Sequence, residues 1–384
     1  MKNNATRKFV PAKWVLFAFL FLLNFSRTYS QFDVPDYQSR IVPLFEAGVN
    51  ISLLENYWSK GDVLLQKENF KKLQLAHKMG FKTVRVPIDF DLFLMPDKVT
   101  FNPDVIKKLT KVYEYINANN MTMILTYHFG VTRNGMAIEE LQKEIQRGFK
   151  IWAQIINLFK GKGYDNLYFG LYDEPRTKTE DRWILISQTG IEKLRPLDPN
   201  RWWLVGTNNY MNVNAFNNLK PINDDKIIYV FHFYEPYIFT TQGAPWDKDK
   251  TYMTGLPYPY AASDMPPMPE RAKADRDMTY NYEHYNEKAN KGFIEANVKV
   301  AHDWSVRNNV PVICTETGTI KSIPEKYRNN YMNDVVAVMK SYGIPMVVWD
   351  LDQSFKITNA NGELLSSLSD WIKSYKGIVL QKIN

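Results

Sequence analysis

Short runs of apolar, β-branched or aromatic residues recur along the chain, separated by longer stretches of helical periodicity. The runs fall at about 45–50, 82–88, 121–127, 167–173, 202–207, 227–233, 311–316 and 345–350. Helical patterns occupy 61–79, 103–119, 138–159, 178–195, 287–308 and 324–341. Strands that are apolar nearly throughout imply a parallel sheet covered on both faces. Eight of them alternating with helices predict an α/β fold, a single (β/α)8 barrel. A doubly wound open sheet is the alternative, but no glycine-rich phosphate loop follows the first run. One connection breaks the alternation: residues 235–285, after the sixth strand, are rich in proline, glycine and aromatic side chains. A loop of that length in a compact domain is commonly functional, and this one is expected to roof the catalytic face.

The N-terminus follows a different pattern. Lys2, Arg7, Lys8 and Lys13 precede an apolar run from Trp14 to Leu23, and Thr28-Tyr29-Ser30 stand before Gln31. That is the layout of a secretory signal peptide cleaved after Ser30. The apolar run is about half the roughly 20 residues a membrane-spanning helix requires, so an uncleaved anchor is the lesser alternative. Residues 1–30 are therefore expected to be a signal peptide and residues 31–384 one catalytic domain, with the protein secreted or periplasmic. No Pro/Ser linker or internal repeat divides that domain.

Removing the signal changes the electrostatic picture. Residues 1–30 hold five of the 48 basic side chains and none of the 41 acidic ones, so the formal charge of +7 falls to about +2. No basic block suggests a nucleic-acid face, and no membrane contact is expected once the signal is gone. A monomer is expected. The single cysteine, Cys314, excludes an intrachain disulfide and reads as a buried small hydrophobe in Val310-Pro311-Val312-Ile313-Cys314.

Aligning the strands at their C-terminal ends brings polar residues together, and in a (β/α)8 barrel those ends form the active-site face. The residues there are Asn50, Arg85, His128, Asp173-Glu174-Pro175, Asn208, His232 with Tyr234, Glu316 and Trp349. Each has an ordinary explanation alone, as an ion-pair partner, a core histidine or a barrel plug; nearly one per strand end is a pattern. Two carboxylates in such a setting suggest glycoside hydrolysis, which needs a proton delivered to the leaving oxygen and a stabilised oxocarbenium-like centre. Glu174 and Glu316, after the fourth and seventh strands, would face each other across a bound sugar. Trp58, Tyr237, Trp246, Tyr258 and Trp349 can form stacking subsites for a β-linked oligo- or polysaccharide. Five histidines without His-x-His or His-Glu-x-x-His spacing give no adequate metal-ligand set; no metal or cofactor is expected.

Gly48-Val49-Asn50, Arg85-Val86-Pro87, His128, Glu174-Pro175, His232-Phe233-Tyr234, Glu316 and Trp349, in this order, resemble glycoside hydrolase family 5, the cellulase-type family of retaining barrels. The resemblance runs over essentially the whole mature chain. It implies Glu174 as acid/base and Glu316 as nucleophile, with Arg85 and Tyr234 bonded to the nucleophile. It further implies His232 beside the acid/base, His128 on a sugar hydroxyl and Trp349 as the platform under the sugar being cleaved. The activity implied is that of an endo-β-1,4-glucanase. Exo-acting glucosidase- or mannanase-type action, or a catalytically impaired glycan-binding protein, are the alternatives. Two departures stand out. Asp173 replaces the asparagine that usually precedes the acid/base, and its charge is expected to raise the pKa of Glu174. Thr315-Glu316-Thr317-Gly318 stands where Gly-Glu-Phe-Gly is common.

Overall fold

A computed structural model describes Gln38, Ile41 and residues 45–51, 67–128, 138–246 and 252–382 of the 384. The signal-peptide segment and Trp58 lie outside the described residues. The described residues form eight strands: β1 (Gly48–Asn50), β2 (Thr83–Ile88), β3 (Thr122–Tyr127), β4 (Leu167–Gly170), β5 (Trp203–Gly206), β6 (Ile227–Phe233), β7 (Val312–Thr317) and β8 (Val347–Val348). All neighbours are parallel, in the order β7-β6-β5-β4-β3-β2-β1-β8. The two ends of that order meet. Cys314 bridges to Met346, Cys314 N–H donates to Pro345 O at 3.0 Å, and Trp349 N–H donates to Thr317 O at 2.7 Å. The sheet therefore closes as a barrel, and the open-sheet alternative falls.

The principal helices are α1 (Lys67–Met79), α2 (Pro103–Ala118), α3 (Ile138–Phe159), α4 (Glu180–Leu194), α5 (Arg276–Glu283), α6 (Lys291–Asn308), α7 (Glu325–Ser341) and α8 (Ser366–Lys382). Their starts follow local chemistry. Asn102 accepts from Asp104 N–H ahead of Pro103, Thr179 accepts from Arg182 N–H, and Asn290 accepts from Phe293 N–H. Each side chain satisfies a donor that the first helical turn leaves unpaired. Asn309, at φ 51°, ends α6 in the left-handed conformation.

Alternation along the strands sorts their residues into two cores. Val49, Val84, Val86, Met123 and Leu125 face the helices, whereas Ile124, Tyr168, Leu204, Ile228, Ile313 and Val347 pack together in a second cluster that fills the barrel. Inside, the walls approach closely: a Cβ on Gly170 would lie 2.4 Å from Thr126 Oγ1. Farther along the strands the fill turns polar, with Arg85, Thr126, His128, His232 and Glu316 all buried. Tryptophans from the helical layer hold the strand ends at that height. Trp152 Nε1 on α3 donates to Leu171 O at 3.1 Å, and Trp183 Nε1 on α4 donates to Gly206 O at 2.7 Å.

The connection after β6 is more structured than a loop. It contains the turn Tyr237–Thr240, the short helix Glu270–Ala274 and α5. Among its described residues, Tyr258 and Asp264 are tied to α7. Tyr258 O–H donates to Asp334 at 2.9 Å, and Tyr327 O–H donates to Asp264 at 2.9 Å. Tyr258 is fully buried and offers no stacking surface, correcting its reading as a sugar platform. Aromatic side chains fill cores and platforms alike, and the pattern of this segment does not separate the two.

At the opposite end of the barrel, Arg201 is buried and fastens three elements. It donates to Phe159 O at the end of α3, to Lys162 O and Gly163 O in the turn that follows, to Leu167 O at the start of β4, and to Asp198 at 3.1 Å. Arg201→Leu leaves those acceptors unpaired and is expected to lower the unfolding free energy by about 3–5 kcal/mol, with little effect on kcat. Urea denaturation checks this, and a loss under about 1 kcal/mol would contradict the fastening role.

Candidate active site

The site is assembled around Arg85. Asn50 and Arg85 are register partners on β1 and β2, so their side chains enter the barrel side by side. Arg85 Nη1 donates to Asn50 Oδ1 at 2.8 Å and to Glu316 Oε1 at 2.6 Å, while Nη2 donates to Asp173 Oδ1. Burial works against its charge, but the carboxylates of Asp173 and Glu316 outweigh that penalty and raise its pKa.

Glu316 is brought into reach by a bulge. Phe231 pairs with Cys314, yet the next residue, His232, pairs with Glu316, so β7 carries an unpaired Thr315. Just beyond, Gly318 lets the chain pass β8, since a Cβ there would lie 2.3 Å from Trp349 O. The Glu316 carboxylate accepts from Arg85 on Oε1 and from Tyr234 O–H on Oε2 at 3.0 Å. Burial raises its pKa most, His232 and Arg85 oppose, and Asp173 and Glu174 add to the rise; the net direction is upward.

Glu174 follows β4 and differs from Glu316 in exposure, with 29% of its side chain accessible against 6%. Its backbone has φ 42°, unusual for a residue with a side chain. His232 lies between the two glutamates, with Nδ1 at 3.2 Å from Glu174 Oε1 and 3.5 Å from Glu316 Oε2. Burial disfavours the imidazolium, but Glu316, Glu174 and Asp173 together raise the His232 pKa. An oxygen of Glu174 and one of Glu316 lie within 4.8 Å of each other.

Asp173 stands apart from its neighbour Glu174. Its carboxylate is buried, with Oδ1 on Arg85 and Oδ2 at 2.9 Å from His128 Nε2. Burial raises its pKa, but Arg85, His128 and His232 overcome this and hold it well below the usual carboxylate range. Its two oxygens are thus taken up by Arg85 and His128. Two triads, His128/Asp173/Glu316 and Glu174/His232/Glu316, are close enough to share a cation. Arg85 already takes one oxygen of Asp173 and one of Glu316.

Trp349 is half-buried and stacks on His128, ring centres 6.0 Å apart at 26°. Trp246, 42% exposed, stacks on Phe355, and the edge of Phe355 meets Tyr234. Trp246 thereby reaches the Glu316 side of the site through a residue that carried no polar signal in the sequence. Tyr237 is exposed on its turn. Asn50 and Asn208, placed with the other polar strand-end residues as substrate-binding candidates, are committed to the scaffold. Asn50 is fully buried, and its amide donates to Thr315 O and Val348 O, so it braces Arg85 and three strands instead of meeting sugar. Asn208 exchanges two hydrogen bonds with the backbone of Thr177, at 2.9 and 3.0 Å, and so pins the loop that carries Glu174.

A parallel barrel with two close carboxylates on its C-terminal face, one held by a guanidinium and a phenol, defines a glycoside hydrolase of the retaining class. The family model for cellulase (glycosyl hydrolase family 5) matches residues 45–355, and the chain belongs to that family. Endoglucanase C of Acetivibrio thermocellus is 26% identical over 341 residues, covering 84% of this chain and 96% of its own. Cellodextrinase A of Ruminococcus flavefaciens is 31% identical over 193 residues, covering 48% and 55%. Among solved structures, Thermotoga maritima Cel5A in complex with cellobiose shares the fold at TM-score 0.70 and 18% identity, over 88% of this chain and 100% of that one. A glycan substrate is consistent with the family.

The charge of Asp173 raises the pKa of Glu316. Asp173→Asn removes that charge and leaves Arg85 to Glu316, so the pKa of Glu316 falls. The acid limb of the kcat/KM profile is then expected to move to lower pH while the basic limb stays in place. A shift of the basic limb instead would return Asp173 to the role of acting on Glu174.

Proposed function

We propose that this enzyme is an endo-acting β-1,4-glucanase using double displacement, with Glu316 as nucleophile and Glu174 as acid and base. The observation that carries the mechanism is the close approach of the two carboxylates, within 4.8 Å at their nearest oxygens. Retaining enzymes hold their carboxyl groups about 5–5.5 Å apart, whereas inverting enzymes leave about 6.5–9.5 Å for a water. In the first step Glu174 delivers its proton to the glycosidic oxygen while Glu316 bonds to the anomeric carbon and the leaving sugar departs. Arg85 and Tyr234 fix both oxygens of Glu316, so it has little freedom to rotate away. Glycosylation removes the charge of Glu316, and with it the repulsion against an ionised Glu174. Glu174 then takes a proton from water, which attacks the anomeric carbon and releases Glu316.

The preference for β-1,4-glucan is supported by relatives named as endoglucanases that align over nearly their full length. The relative named cellodextrinase favours, as a second reading, a preference for short oligosaccharides. Export is supported by the basic, apolar and small-residue succession of residues 1–30. No helix among the described residues is long and apolar enough to cross a membrane. We take the mature enzyme to be a monomer, to be checked by sedimentation.

A 2-deoxy-2-fluoro-β-cellobioside should trap the glycosyl-enzyme and label Glu316 by peptide mass spectrometry, with product of retained configuration. Glu174→Gln should cost roughly 10²–10⁴ in kcat on cello-oligosaccharides. A label elsewhere, or an inverted product, would overturn the assignment. Product sizing on β-1,4-glucan, mannan and xylan separates internal cleavage from release of short ends. Mature protein recovered outside the cytoplasm should begin at Gln31.

A further inference from the structure

A phenol can fix a carboxylate only if its own backbone is held. Tyr234 O–H donates to Glu316 Oε2 at 3.0 Å, with Glu316 inside β7 and Tyr234 one residue past the end of β6. The ladder between these strands ends at the pair Phe233 and Thr317, so Tyr234 lies beyond it. The bond already stands at the long end of the usual O–H···O range, about 2.5–3.0 Å. Any further parting of the two chains weakens it, and something other than the sheet must hold them.

That tie runs through Thr240, fully buried at the end of the turn Tyr237–Thr240. Its hydroxyl donates to Tyr234 O at 2.6 Å, and its carbonyl accepts from Ile320 N–H at 2.8 Å. Ile320 lies in the loop after β7. One residue thus joins the chain leaving Tyr234 to the chain leaving Glu316. The hydroxyl is not used in the ordinary way of a threonine in a helical turn, which bonds the carbonyl three or four residues back. Thr241 does that, donating to Tyr237 O at 2.6 Å. Thr240 instead reaches past the turn to the strand end.

The turn itself is anchored from several sides. Tyr331 O–H on α7 donates to Glu235 O at 3.1 Å, and Gln242 exchanges two hydrogen bonds with the backbone of Leu256, at 2.8 and 3.2 Å. Beyond Ile320, Lys321 N–H donates to Ser354 O at 2.9 Å. The turn cannot shift without stretching these bonds as well, so Thr240 is a fixed point from which Tyr234 hangs.

We propose that Thr240 is a positioning residue for the nucleophile: by holding Tyr234 O it sets the phenol at the distance from which it fixes Glu316 Oε2. The inference rests on the reading of Glu316 as nucleophile. Without the Thr240 hydroxyl, Tyr234 O loses its donor and the phenol its fixed distance. Glu316 then keeps only Arg85 on Oε1 and gains freedom to turn about that contact. The loss falls on the step in which Glu316 attacks carbon.

2,4-Dinitrophenyl 2-deoxy-2-fluoro-β-cellobioside reads that step alone, because dinitrophenolate is released as the glycosyl-enzyme forms and needs no acid. Thr240→Val, which keeps the shape and removes the donor, should slow trapping about tenfold when Tyr234 is present. In a Tyr234→Phe background the same substitution should slow it less than about twofold, since no phenol remains to be positioned. Thr240→Ser keeps the donor and should trap at the wild-type rate. Thr240→Ala removes the donor without setting a methyl group against the carbonyl and should repeat the valine result, so the cycle is decided even where the valine variant does not fold. Equal losses in both backgrounds, or no loss with Tyr234 present, would overturn the positioning role. Failure of both donor-deleted variants to fold would assign Thr240 to the scaffold and overturn it too. A wild-type label on a residue other than Glu316 would overturn the catalytic reading, and the positioning role with it.

Discussion

One buried guanidinium organises the mouth of this barrel. Arg85 rises from β2 above a layer of aliphatic side chains, and an unpaired charge there would cost several kcal/mol. Its partners come from three other strands: Asn50 on β1, Asp173 after β4 and Glu316 on β7. Those strands must hold their ends at one height and turn the right faces inward for the cation to be satisfied. The bulge in β7 and the paired register of Asn50 and Arg85 are the local means. The register of the barrel and the electrostatics of the site are thus one constraint.

That constraint also separates the carboxylates by task. Asp173 receives Arg85 and His128 together and stays ionised in the interior. Glu316 shares the same guanidinium but is fixed on its other oxygen by Tyr234, so its orientation is determined as much as its charge. Glu174 sits higher, partly in solvent, with His232 as its hydrogen-bond partner. In the proposed double displacement, a group that gives a proton to the leaving oxygen and regains one from water in each turnover belongs at the rim, and one that must aim at a carbon belongs below it.

Much of this was legible in the residue pattern because the determinants are periodic. Alternating inward positions and near-continuous apolar strands announce a parallel barrel, and polar residues at strand ends announce its active face. What was not legible depends on which atom meets which. Asn50 and Asn208 look like sugar contacts until their amides are seen committed to backbone carbonyls. Tyr258 and Trp246 occupy one aromatic-rich segment, yet one fills a core and the other faces solvent. The connection after β6 misled for a related reason: its prolines and glycines hid hydrogen bonds to α7 formed by residues far apart in the chain.

The aspartate at position 173 has consequences beyond its charge. Both its oxygens only accept, so His128 must present Nε2–H toward Oδ2, which assigns the proton on that ring. An amide in the same place would turn its NH2 toward His128 if its carbonyl took the bond from Arg85, and Nε2 would then have to accept. The choice between acid and amide therefore selects the protonation pattern of the imidazole that stacks on Trp349, and through it the hydrogen-bonding character of that wall of the site. It also decides how Arg85 divides its field. A carboxylate draws the guanidinium away from Glu316 more strongly than a neutral carbonyl does, leaving the proposed nucleophile more easily protonated but still fixed in direction. Aim is preserved in both arrangements, because it depends on which atoms Arg85 and Tyr234 touch and not on how the charge is shared.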